Sequence, residues 1–146
     1  MNPKDKTSPS QNESISLEFD LAHSPAKVWR ALTDPVLLAE WLLPTVNFKL
    51  ESGAAFSLQA QPRPGWDGIV KCEMIEIQTG EKLCWSWIVG EIDTVVTFTL
   101  KPTESGTRLT LVQAGFKPKQ EQNFAGARFG WNMMGKKLVG LLDRTG

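Results

Sequence analysis

Few side chains in this chain belong to the types that do covalent or acid–base chemistry, and none of them forms a known constellation. His23 is the one histidine. A lone imidazole with no second ligand type beside it makes no metal centre, and its place just before a helix start reads as a surface or capping residue. Cys72 and Cys84 do not have a metal-ligand spacing. In a hairpin turning at Thr79–Gly80, Cys72 falls opposite Trp87 and Cys84 opposite Ile75, so no disulfide is expected. Nothing near either sulfur would stabilise a thiolate. Glu91 and Asp93 stand at i and i+2 and share a face if their strand starts early. General acid–base work would need them buried beside a ligand, and a solvated pair flanking a turn is the plainer reading. Neither complete glycine-rich phosphate signature, GxGxxG or GxxxxGK followed by Ser or Thr, occurs. No catalytic residue, metal or cofactor is expected.

What the chain does hold is six Trp and seven Phe, with no Tyr. Rings of that size build either a core of broad flat surfaces or the walls of a cavity. Trp85 and Trp87 share one strand face, and either fill the core or stack on a flat ligand. Trp66 follows the loop QPRPG and either stands at a pocket mouth or covers it. The candidate ligand-binding set is Trp41, Phe56, Trp66, Trp85, Trp87, Phe98, Gln113, Phe124, Arg128 and Trp131. Its polar members, Gln113 and Arg128, are placed nearest the cavity. Left unpaired inside, the Gln113 amide would cost roughly 1–3 kcal/mol, so it needs a partner from protein, water or ligand. Arg128 either meets a carboxylate there or lies on a solvated face.

These residues must be positioned by the elements around them. Residues 122–144 read QNFAGARFGWNMMGKKLVGLLDR, and Phe124, Ala127, Trp131, Met134, Leu138 and Leu141 recur at helical spacing. Gly126, Gly130, Gly135 and Gly140 interrupt the segment. Together they could cost about 3–4 kcal/mol relative to Ala, so packing rather than propensity must hold this helix. Gly126, Gly130 and Gly140 fall on one strip beside the apolar stripe, where a backbone or a ligand can approach. Tight packing on a sheet is the ordinary reading of that strip, and a lid over a pocket the sharper one. Phe129 and Met133 lie on the far side of it. Either the sheet wraps far around the helix, which we adopt, or these two meet a partner such as a second copy.

Upstream, Ile15, Leu17, Phe19 and Leu21 alternate with polar residues as a half-buried strand. Ser24–Pro25 caps a short helix carrying Val28, Trp29 and Leu32; Asp34–Pro35 ends it and caps a second, with Leu38, Trp41 and Leu42. Trp29 and Trp41 read as hinge and core residues of this bent pair. From Asn47 to Gln113 strands follow one another through short turns: 48–50, 54–60, 68–77, 82–89, 93–100 and 107–113. Such a meander has one apolar and one wet face. The terminal helix can cover the apolar face, leaving space near the helix's N-terminal half.

The 146 residues suffice for one domain, residues 14–146, behind a polar Pro/Ser-rich stretch 1–13 read as a disordered tail. The net charge is zero and no basic stripe appears, against nucleic-acid binding. No apolar run approaches the ~20 residues of a membrane span, and the first residues lack the apolar core of a secretion signal. A reduced, cytoplasmic setting is expected.

The stretch VWRALTDPVLLAEWL (Val28 to Leu42) resembles the signature of the bacterial relatives of the chaperone-ATPase activator's C-terminal domain. The resemblance continues through EIQTGEKLCWSW (76–87), TRLTLVQAGF (107–116) and Gly130–Trp131. It places the chain in the helix-grip superfamily (SRPBCC, START-like) and implies an α+β fold, β-α-α-β6-α. A curved antiparallel sheet would wrap around the long C-terminal helix, with a cavity between them. Gln113 stands at a strand position where relatives often carry His, which removes an acid–base group from the cavity side. Relatives bind lipids, hormones or polyketides, catalyse cyclisation or dehydration, or stimulate a chaperone ATPase. The expected partner is a small hydrophobic ligand, lipid, aromatic or polyketide-like. The alternatives are a chaperone-regulating interaction module and a cyclase or dehydratase.

Overall fold

The computed structural model describes residues 4–7 and 13–145. Ile15, Leu17, Phe19 and Leu21 all face inward from β2 (Ser14–Leu21), as their alternation requires. Two helices follow, α1 (Pro25–Thr33) and α2 (Pro35–Trp41). The Ser24 hydroxyl accepts from the Lys27 amide at 3.3 Å, and the Asp34 carboxylate accepts from the Val36 amide at 2.9 Å. Both caps are thus real, and Asp34, extended ahead of Pro35, sets the bend between the helices. The Trp41 indole N–H donates to the Ala31 carbonyl at 2.9 Å and locks that bend.

Six strands come next: β3 (Thr45–Val46), β4 (Ala55–Gln59), β5 (Ile69–Gln78), β6 (Lys82–Val89), β7 (Ile92–Pro102) and β8 (Thr107–Ala114). After a 3-10 turn at Pro118–Gln120 the chain ends in α3 (Glu121–Arg144). With β1 (Lys4–Asp5) at one edge, the sheet is antiparallel, curved and unclosed, in the order β1-β2-β8-β7-β6-β5-β4-β3. Its concave face holds α3, and α1 and α2 close one end.

Three details depart from the sequence reading. Lys4–Asp5 form β1, pairing with Glu18 and Leu17 where composition predicts a structureless tail; residues 1–3 and 8–12 of that tail lie outside the described residues. Residues 48–50 form no strand, because Asn47 turns the backbone at φ 60°. The Phe48 ring instead meets Phe56 edge-on at 5.0 Å. In the β5–β6 hairpin, Cys84 pairs with Glu76 rather than Ile75, because the turn pairs Gln78 with Lys82; a bulge between Met74 and Glu76 then shifts the register by one, so that Met74 meets Trp85. Cys72 faces the core and Cys84 the opposite side, and both thiols are free.

The two halves of α3 are held differently. Leu138, Leu141 and Leu142 are fully enclosed, and the Lys27 ammonium donates to the Leu142 and Thr145 carbonyls at 2.6 Å each. That ammonium satisfies carbonyls a helix end leaves free. The N-terminal half, with Gly126 exposed and Gly130 half-buried, stands away from the strands. Phe129 is 67% and Met133 49% exposed, so the sheet does not wrap as far as the sequence reading assumed.

Candidate functional site

Where α3 stands off the sheet there is a cavity of about 450 Å³. The sheet contributes Val70, Trp87, Val89, Ile92 and Gln113; the helix contributes Gly126, Ala127, Gly130, Trp131 and Met134. Trp66 and Arg63 come from the β4–β5 loop, and Phe116 from the β8–α3 connection. The exposed lining is mostly apolar, and the size falls within the ~300–1,000 Å³ usual for small-molecule sites. A methyl placed on Gly126 would meet no atom within 4 Å, and one on Gly130 only the Met134 Cε at 3.8 Å. The glycine strip therefore borders open space rather than a tightly packed strand.

One hydrogen-bonded chain fixes the floor. The Trp131 indole N–H donates to Gln113 Oε1 at 2.6 Å. Gln113 Nε2 donates to Thr94 Oγ1 at 2.9 Å, and the Thr94 hydroxyl donates to the Trp87 carbonyl at 2.8 Å. An indole can only donate, so the amide orientation follows from the network. Gln113 and Thr94 are each 1% exposed, and this chain supplies the partner Gln113 requires. It also ties α3 to β6, β7 and β8 where the rings of Trp87 and Trp131 lie 5.4 Å apart.

The mouth is built by a turn. Arg63 and Trp66 exchange backbone hydrogen bonds at 2.9 and 2.8 Å across Pro64–Gly65. Proline at the second position and Gly65 at φ 83° fit a type II turn. The Trp66 N–H donates to the Ile69 carbonyl at 3.1 Å, holding the ring beside the opening. Outside lies a wider cleft of about 1050 Å³ that shares Trp66, Val89, Ile92 and Asn123 with the cavity and adds Glu91, Asp93, Lys117 and Lys119. Glu91 lies in the turn before β7, so it and Asp93 flank this open cleft rather than a buried site.

Of the ten residues singled out from sequence, Trp66, Trp87, Gln113 and Trp131 meet at the cavity. Trp41, Phe56, Trp85 and Phe98 do not; they form a solid aromatic stack deeper in the core. Trp85 meets Phe98 at 5.3 Å and Phe56 at 5.6 Å, and Trp41 meets Phe98 at 6.3 Å. Phe124 packs edge-on against Phe116, one ring removed from the hollow. Arg128 turns outward: its Nε donates to Asp5 Oδ2 at 2.6 Å, on the groove that also carries Phe129 and Met133. Arg63, Phe116, Gly126 and Gly130 are cavity residues outside the sequence-derived set. The glycine strip was the one signal that could have pointed to the last two.

The groups considered for chemistry sit elsewhere. His23 lies at the far end of α3, bonded to Asp143 Oδ1 at 2.9 Å and Lys27 Nζ at 3.1 Å. An ammonium only donates, so Nδ1 accepts and Nε2–H points to Asp143. Burial pushes the Cys72 thiol up to about 12, which keeps it protonated. Among the described residues no three His, Cys, Asp or Glu side chains are grouped to hold a metal ion, and no helix is long and apolar enough to cross a membrane.

The architecture and its hollow define a helix-grip protein. Residues 22–143 match the family model described as activator of Hsp90 ATPase homolog 1-like protein, and the chain belongs to that family. Protein MLL2253 of Mesorhizobium loti is similar, at 37% identity and a TM-score of 0.84, over 91% of this chain and 98% of its own. CalU16 of Micromonospora echinospora shares the fold at 24% identity and a TM-score of 0.75, over 97% and 84%. DynU16, from the dynemicin biosynthetic locus, shares it at 19% and 0.77, over 90% of this chain and 48% of that one. Among curated proteins none matches.

Proposed function

We propose that this protein binds a small hydrophobic ligand in the cavity between the sheet and the N-terminal half of α3. The observation that carries the reading is the glycine-lined wall. A helix that lacks side chains at Gly126 and Gly130, bordering a 450 Å³ hollow with the indoles of Trp66 and Trp87 on its other walls, forgoes helix propensity without gaining packing. Apolar desolvation would supply the affinity, and the Gln113 chain would keep the floor rigid. One structural neighbour, DynU16, comes from the dynemicin biosynthetic locus, which supports a metabolite as occupant. The test is native mass spectrometry of the purified chain against a panel of lipids and aromatic metabolites, beside a Gly126→Trp variant that plugs the hollow. A ligand retained by the wild type and lost from the variant supports the reading. Retention by both, or by neither, overturns it.

A second reading, a module acting on a chaperone ATPase, is favoured by the family description and by the exposed Phe129 and Met133. Stimulation of a chaperone ATPase that Phe129→Ser abolishes would establish it. For a cyclase- or dehydratase-like activity the cavity lining offers Arg63 as its one ionisable side chain, with Gln113 as a buried polar group.

A further inference from the structure

Resting on the ligand-binding reading, we infer that the preferred occupant is a planar aromatic carboxylate, its rings among the indoles and its charge at Arg63. Three observations lead there. First, the buried polar groups of the walls are already engaged, and the Gln122 and Asn123 amides are exposed at the rim. The Trp131 and Trp66 N–H groups are bonded within the protein, and the Gln113 amide has one bond at each end. The cavity thus offers ring faces and edges more than hydrogen bonds, and ring-on-ring contact adds favourable energy that a flexible acyl chain cannot collect.

Second, beside Trp131 the helix wall of the cavity is bare backbone at Gly126 and Gly130. Four residues of helix rise about 6 Å, a span on the scale of fused rings. A flat body can lie along that strip without displacing a side chain.

Third, the charge is unbalanced. Arg63 is the one charged side chain lining the cavity, and among the described residues it forms no ion pair. In the cleft outside, Glu91 and Asp93 offset Lys117 and Lys119. A single guanidinium fork matches one carboxylate in a bidentate pair. A dianionic phosphate would need more positive charge than the mouth holds. The Pro64–Gly65 turn sets Arg63 next to Trp66, so the charge and the outermost ring come as a unit.

Isothermal titration calorimetry of the full chain with 2-naphthoate, its neutral isostere 2-naphthamide and the linear acid decanoate tests this, using wild type, Arg63→Gln and Gly126→Trp. Arg63 is exposed, so its replacement leaves the core intact. The expected result is about tenfold tighter binding of naphthoate than of naphthamide, the lower end for a charge-assisted hydrogen bond. That margin should vanish in Arg63→Gln, and all binding should vanish in Gly126→Trp. Equal affinity for naphthoate and naphthamide, or tighter binding of decanoate, overturns the inference; if Gly126→Trp still blocks binding, the cavity reading survives. Failure of all three probes to bind also overturns it, and the native-spectrometry panel then decides the cavity reading separately. Binding that Gly126→Trp leaves intact sinks both.

Discussion

Trp85 and Trp87 leave the same face of the same strand, two residues apart, and end in opposite surroundings. Trp85 is completely enclosed, with Phe48, Phe56 and Phe98 around it at 5.3–6.4 Å. Trp87 is half-buried and borders a hollow. The strand treats them alike; what lies across from them differs. Opposite Trp85 the chain supplies rings from β4, β7 and the β3–β4 connection. Against Trp87 it supplies one ring, Trp131 at 5.4 Å, and beside that the bare backbone of Gly126 and Gly130 on the cavity wall. The contrast teaches that the cavity is made by omission on the helix, not by any peculiarity of the sheet. A concave sheet leaves room at both ends, and one end is filled.

The strongest way to break this comparison is to truncate both rings. Trp85→Ala should cost about 3–5 kcal/mol in urea unfolding, the range for emptying a filled aromatic site. Trp87→Ala should cost clearly less, because part of its surface already faces open space. Equal losses would show that the hollow is as tightly supported as the core. Next in size is Gln113→Leu, which strands the buried Trp131 N–H and cuts the link from helix to sheet. It should cost about 1–3 kcal/mol, checked by the same unfolding curves and by faster amide exchange in residues 124–131.

The fold was legible where one local period decides it. Ile15 to Leu21 and Val96 to Leu100 alternate cleanly, Ser24–Pro25 and Asp34–Pro35 announce their helices, and the stripe from Phe124 to Leu141 finds the face of α3. The site was legible only in part. Trp66, Trp87, Gln113 and Trp131 could be chosen by residue type, but nothing local separates Trp87 from Trp85. Their difference depends on Phe48 and Gly126, distant in sequence from both, and on how far a helix stands from a sheet. Arg128 flanks the stripe at helical spacing, yet its direction was set by Asp5, inside a stretch whose composition gives no strand signal. Arg63 sits in a turn whose chemistry reads plainly as PRPG, while the side on which its guanidinium falls depends on the sheet's curvature.

Filling the omission probes the same contrast from the helix side. Gly126→Ala should stabilise the protein by up to about 1 kcal/mol, the difference in helix propensity, since the added methyl touches nothing. A rise in thermal midpoint measures it. Loss of stability would mean that the strip packs against something after all, and the distinction between a filled and an empty end would weaken.

The smallest expected effect asks whether Arg128 belongs to the hollow or to the outer edge. Burial by itself would raise the Asp5 carboxyl, but hydrogen bonds from Arg128, Thr7 and Asn132 outweigh it and hold the group well below the usual carboxylate range. A carboxylate lowered in the folded state stabilises it at pH values above its unfolded value of 3.8, and that contribution is lost as the pH falls toward the folded value. Asp5→Asn should therefore cost about 0.2–1 kcal/mol at pH 7, as for a pair open to solvent, and progressively less as the pH drops below about 4. The unfolding difference between wild type and variant, followed from pH 7 to pH 3, gives the sign. Whatever ligand the cavity holds should be retained unchanged by the variant in native mass spectrometry, because Arg128 points away from it. A variant that loses the ligand while keeping its stability would move Arg128 back among the cavity residues.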